Sequence, residues 1–108
     1  LISEGVKKMF FMIDHVHSYS DCQINDSEAS KIWDNLWKDS IKNGVKLLGR
    51  YGNRGAHRMF IIIEADSLEK IETWLHPCIA FGQWDIIPVI KKDTYLSDWK
   101  DFEKNNNS

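Results

Sequence analysis

Three stretches of this chain are apolar on both parities of an extended strand: KMFFMIDHVH at 8–17, HRMFIIIEA at 57–65 and QWDIIPVIK at 83–91. Alternate side chains of a strand point to opposite faces. Met9, Phe11 and Ile13 therefore face one way, and Phe10, Met12 and Val16 the other. Met59, Ile61 and Ile63 oppose Phe60 and Ile62 in the same manner, and Ile86 and Ile90 oppose Ile87 and Val89. A sheet built from such strands needs cover on both faces, and that need constrains the rest of the fold.

VKLLGRY at 45–51 reads as a further strand, joined to 57–65 by the turn GNRGA at 52–56. Helical spacing runs through Ala29, Ile32, Trp33, Leu36, Trp37 and Ile41 and stops at Gly44, with Asn25 and Glu28 as a capping box. Leu68, Ile71, Trp74 and Leu75 line a second, shorter helix, with Asp66 and Glu69 as its box and Pro77 at its end. In the tail, Tyr95, Leu96, Trp99 and Phe102 predict a short amphipathic C-terminal helix.

The order is β-α-β-β-α-β. This is the ferredoxin-like α+β arrangement: a four-stranded antiparallel sheet of order 4-1-3-2 with both helices on one face. Pro88 has no N–H to give a neighbour, so strand four belongs on an edge. The organisation expected is an N-terminal extension at 1–7 with no role in the fold, one domain at 8–91, and the tail at 92–108. Two helices cover one sheet face only. A second copy related by a two-fold axis is the economical cover for the other, so a homodimer is expected; the alternative is the tail helix folding back over its own sheet.

Charge and composition exclude several classes. A net charge of −2 over 108 residues gives no basic surface for nucleic acid or anionic lipid. An RNA-recognition domain shares the strand order, but AHRMFIII offers one aromatic and no basic run. No apolar run is long enough to span a membrane, and the opening LISEG has no signal core. Cys22 and Cys78 set up no disulfide framework, so reduced thiols and a cytoplasmic location are expected.

The stretch SLEKIETWLHPCIAFGQWDIIPVI is similar to the stress-responsive α/β barrel domains, in which a helix ends in an aromatic, then His-Pro-x-His, before the last strand. Small YciI-like domains carry a comparable helix-end dipeptide. The resemblance covers about residues 8–91 and implies membership of the dimeric α+β barrel superfamily, with a pocket between helices and sheet. Ile79 stands where the pattern has its second His, and Trp74 where it has a pocket tyrosine. The resemblance therefore implies the pocket rather than that family's acid–base pair.

Topology gathers the polar chemistry at one end. With the C-terminal end of strand one as the top, His15, His17, Cys22, His57 and the helix end His76-Pro77-Cys78 all fall there. The row Met9, Phe11, Ile13 leads to His15 and His17, and the row Ile63, Ile61, Met59 leads to His57. The sequence thus predicts an apolar helix–sheet cavity lined by Phe11, Ile13, Trp33, Trp37, Ile61, Ile63, Trp74 and Trp84, with His15 and His76 at its mouth. His15, His57 and His76 are the candidate acid–base residues, though no partner triad is visible.

The expected ligand is a small apolar or amphipathic molecule, either a fatty-acid-like acyl chain or a flat aromatic, bound without a cofactor and with or without its chemical conversion. Two alternatives stay open. One is a non-catalytic dimeric scaffold. The other is a metal site from His15, His17 and His57 with His76 or Cys78. For each histidine alone, the plainer reading is a solvent-facing ring or one bonded to a nearby carbonyl.

Overall fold

The computed structural model describes residues 8–22 and 25–90. The expected extension at 1–7 and the tail helix at 92–108 lie outside the described residues. Four strands and two helices follow in order: β1 (Met9–Val16), α1 (Ser27–Lys38), β2 (Lys46–Asn53), β3 (Arg58–Ala65), α2 (Leu68–Leu75) and β4 (Gln83–Val89). Short 3-10 turns occupy Tyr19–Asp21, Ile41–Asn43 and His76–Cys78. The sheet order is β2-β3-β1-β4, with every neighbouring pair antiparallel. This is the expected ferredoxin-like order, and Pro88 sits on the edge strand β4.

Above the Met9–Ala65 pair, the register stacks the helix-facing residues into three rows that cross all four strands. The lowest is Leu47–Ile63–Phe11–Pro88, the middle Arg50–Ile61–Ile13–Ile86, and the top Gly52–Met59–His15–Trp84. Leu36 of α1 and Ile71, Trp74 and Leu75 of α2 close over the lower rows, with Phe11, Ile13, Ile61, Ile63 and Ala65 buried beneath them. The opposite face carries Met12, Phe60 and Ile62, with Ile87 and Val89 exposed. Near its upper end Arg58 makes a two-pronged ion pair with Asp14, at 2.9 and 2.7 Å.

Both helix starts lie one residue beyond the predicted caps. Asp26, not Asn25, caps α1, and its carboxylate accepts from the N–H groups of Glu28 and Ala29 at 3.0 Å each. A carboxylate there satisfies two orphan donors and also suits the helix dipole. Ser67, not Asp66, caps α2 by accepting from Lys70 N–H, while Asp66 pairs with the Lys70 ammonium at 3.0 Å. α1 stops at Lys38, with Asp39 as its C-cap, short of the predicted end at Gly44; Gly44 instead closes the 3-10 turn Ile41–Asn43, in the left-handed region at φ 79°. The hairpin turn is Arg54–His57, two residues later than read from GNRGA, because β2 continues to Asn53.

Candidate functional site

A solvent-open cleft of about 780 Å3 lies at the top of the helix-covered face, between α1 and the β2–β3 hairpin. Three elements build it. The floor is the β2 side of the top row, Gly52 and Met59, with His15 beside them and Arg50 one row below. One wall is the α1 stripe Ser30, Trp33, Trp37. The rim is His17, Tyr19 and Cys22 after β1, Asn53, Arg54 and His57 of the hairpin, and Phe81 before β4. The floor is open because Gly52 has no side chain: a Cβ placed there would meet nothing within 4 Å.

The aromatic wall is continuous. Trp33 stacks on Trp37 at 5.8 Å between ring centroids, and the Arg50 guanidinium lies 4.3 Å from the Trp37 ring centre. That contact couples a cation to the indole face. Arg50 reaches the helix side through a bulge. Leu47 pairs with Ile63 and Gly49 with Ile62, so Leu48 is an extra residue and the alternation shifts by one.

His15 is almost fully enclosed, at 3% exposure. Its Nε2–H donates to the Phe81 carbonyl at 2.9 Å, and its ring packs 4.2 Å from Trp84 and 5.3 Å from Trp33, centre to centre. Burial holds its pKa below the ordinary imidazole value, against the opposing pull of the Phe81 carbonyl. A neutral ring with Nε2 already engaged supports the loop beneath Phe81. Gly82 makes that approach possible: a Cβ there would sit 2.5 Å from the Val16 carbonyl oxygen and 2.7 Å from His15 Nε2.

His17 and His57 meet across the rim. His57 Nδ1 lies 3.0 Å from His17 Nε2, and the Tyr19 ring packs edge-on at 5.0 Å from His57. The His17 backbone N–H donates to the His57 carbonyl at 3.2 Å, which ties the end of β1 to the hairpin. His57 holds φ 51°, the one described non-glycine residue with positive φ. Glycine or asparagine is the common occupant of that conformation, so the imidazole is kept there at a conformational cost.

The structure thus brings together His15, Trp33, Trp37 and His57 of the predicted site residues. It separates the others. Phe11, Ile13, Ile61 and Ile63 are buried members of the closed core rather than walls of the cleft. Trp74 is 1% exposed, and its indole N–H donates to the Leu36 carbonyl at 2.8 Å, which pins α2 to α1. It borders a smaller groove between the helices, of about 350 Å3. Trp84 packs behind His15, with its N–H donating to the Cys78 carbonyl at 3.1 Å.

His76 is exposed in the 3-10 turn after α2 and is not part of the cleft wall. Cys78 is wholly buried, and burial pushes its thiol up to about 11, so it stays protonated near neutral pH. Among the described residues, the apolar bore predicted to run beneath the helices is filled by the chain's own side chains, and the cleft opens at its upper end. Sequence reasoning missed Tyr19, Asn25, Arg50, Arg54, Met59 and Phe81. Parity on β2 would have found Arg50 only with the bulge at Leu48 in hand.

A family described as a domain of unknown function, DUF3303, matches residues 9–102. The chain belongs to that family. Neither the curated proteins nor the solved structures contain a significant match to it. The DUF3303 match spans every strand and helix that builds the cleft. Among the described residues, no helix of this family member is long and apolar enough to cross a membrane.

Proposed function

We propose that the cleft binds a small flat aromatic molecule carrying an acidic group. The observation that carries this reading is the stacked pair Trp33–Trp37 with the Arg50 guanidinium over the outer indole. Indole faces offer a planar apolar surface, and a guanidinium beside them offers a carboxylate two parallel donors. Arg54 and His57 on the rim add donors at the same end. Of the two ligand classes expected from the sequence, the flat aromatic fits better than the acyl chain. A long chain needs a bore, and the space below the top row is occupied by Ile13, Ile61 and Trp74.

The reading is one of binding. Of the candidate bases, His15 is engaged with the Phe81 carbonyl, His57 faces His17, and His76 lies off the cleft wall. The test is calorimetric titration of the purified protein with 2-naphthoate, 2-naphthamide and a medium-chain fatty acid. Naphthoate binds and the other two bind at least about tenfold more weakly, since a charge-assisted bond contributes roughly 1.5–3 kcal/mol. Arg50→Ala and Trp37→Ala each remove most of that affinity. Equal binding of acid and amide, or a preference for the fatty acid, refutes the reading.

We also propose that the sheet face left without helix cover among the described residues pairs with a second copy, as in the dimeric α+β barrels. Met12, Phe60, Ile62, Ile87 and Val89 lie on it, across three adjacent strands, and support that arrangement. Met12→Glu with Phe60→Lys yields monomer or aggregate in sedimentation. A double variant that remains dimeric, or a wild-type chain that is monomeric at all concentrations, removes the proposal.

A further inference from the structure

We infer that His17, Cys22 and His57 form a binding site for a divalent ion of the zinc class, with its fourth coordination position open to the cleft. The inference is independent of the aromatic ligand and adds a second chemistry to the same rim.

Three observations meet here. One ligand atom from each residue lies within 4.8 Å of the other two, and all three residues are half-buried. Around a tetrahedral zinc ion, with Zn–N near 2.0–2.1 Å, two imidazole nitrogens sit about 3.3–3.4 Å apart. His57 Nδ1 and His17 Nε2 are already 3.0 Å apart. An ion entering between them parts the rings by only a few tenths of an ångström and takes the place of the proton they share.

The backbone holds the three donors in place. The hydrogen bond from His17 N–H to the His57 carbonyl fixes one imidazole against the other, at 3.2 Å. The turn Tyr19–Asp21, closed by Cys22 N–H onto the Tyr19 carbonyl at 3.3 Å, brings Cys22 back toward the histidines. His57 occupies its left-handed position at the end of the hairpin, where glycine would relieve the backbone but supply no ligand.

Two imidazoles and one thiolate are a borderline-soft donor set, suited to zinc or cobalt rather than to magnesium or calcium. On binding, the Cys22 thiol gives its proton to solvent and the thiolate takes the metal, while the proton between the two rings moves to the other nitrogen of the donating imidazole, so one proton is released per ion. Three protein ligands leave one position for water or for an anionic group lodged in the cleft. The set differs from the sequence-based alternative of His15, His17 and His57 with His76 or Cys78. His15 is engaged with Phe81, Cys78 is sealed in the core, and His76 lies off the rim. Cys22 takes their place.

The test is titration of chelator-treated, reduced full-length protein with Co2+ and then Zn2+, with no other ligand present. One Co2+ per chain binds, with visible bands of a four-coordinate ion and a near-ultraviolet thiolate-to-cobalt charge-transfer band; Zn2+ displaces it and shields Cys22 from alkylation. Cys22→Ser abolishes the charge-transfer band and weakens Zn2+ binding on the order of a hundredfold, at least as much as loss of an outer-shell partner does. His57→Gly, which suits the backbone at that position, weakens it similarly while the protein keeps its melting temperature. Binding without the thiolate band, unchanged affinity in both variants, or no stoichiometric binding overturns the inference. Naphthoate titration of the metal-free protein reports on the aromatic site separately, so failure of one leaves the other readable.

Discussion

The helix-covered face of the sheet has a closed half and an open half, built from adjacent rows of the same strands. In the lower rows, Phe11, Ile13, Ile61 and Ile63 meet Leu36, Ile71, Trp74 and Leu75, and all are at most 3% exposed. In the top row, Gly52 contributes no side chain and His15 replaces the isoleucine of the row beneath. On the β4 side of that row, Trp84 packs against His15 and the Phe81 carbonyl accepts from it, while the β2 side opens into the cleft. One missing side chain, between the α1 stripe and the β2–β3 hairpin, turns a packed interface into a cleft. The polar groups follow that boundary: Arg50, Arg54, His17 and His57 gather where water reaches, and the closed half holds Trp74 with its single N–H satisfied.

The two indole positions test this contrast most forcefully. Trp74→Ala empties a sealed site and leaves the Leu36 carbonyl without its donor, at a cost of about 3–5 kcal/mol in chemical denaturation. Trp33→Ala, on a half-buried side chain at the cleft, costs clearly less. Equal losses would mean the cleft end is packed as tightly as the core. Next in size is Gly82→Ala, which drives a methyl into the Val16 carbonyl and His15 at φ 140°. It costs roughly 1–3 kcal/mol, as overpacking and a strained conformation do, and shifts the His15 imidazole resonances.

Gly52→Val separates stability from binding. Valine suits a strand and fills open space, so stability changes by less than about 1 kcal/mol while naphthoate binding falls sharply. Unaltered binding would place the ligand away from the cleft floor. The smallest effect concerns the opposite sheet face. The Arg58 hydrogen bonds hold the Asp14 carboxyl below its ordinary range. The pair's contribution is therefore present above the unfolded aspartate pKa of ~3.9 and is lost as pH falls through the lower folded value. Asp14→Asn lowers stability slightly near neutrality, makes the acid limb shallower and converges with the wild type below the folded pKa; equal stability at neutral pH with a difference in strong acid would contradict the assignment.

Much of the architecture could be read from side-chain parity. Apolar residues on both faces of β1 and β3, the edge proline at 88 and two short helical stripes lead to the observed sheet order. Strand parity also located His15 beyond Phe11 and Ile13. Local chemistry was harder to read. Asn25 and Asp26 are both competent caps, and only geometry selects the carboxylate. The site was half legible. Strand direction put His15, His17 and His57 at one end, but depth along a row of apolar residues does not reveal whether the row is roofed. Spacing alone therefore makes Trp74 and Ile61 pocket walls, although they are core. Arg50 was hidden by the bulge at Leu48, which inverts parity partway along β2. His76 is sequence-adjacent to the loop that roofs His15, yet the 3-10 turn leaves it exposed outside the cleft wall.

The most direct test of the account is an indole and backbone amide NMR titration with 2-naphthoate. The account predicts that the indole N–H signals of Trp33 and Trp37 and the amides of His17, Arg50, Gly52 and His57 move with one common affinity, while the Trp74 indole N–H, bonded to the Leu36 carbonyl, and the amides of Ile61 and Ile63 stay in place. Shifts centred on Trp74, or on Met12 and Ile62 of the opposite face with Trp33 and Trp37 unmoved, would contradict it.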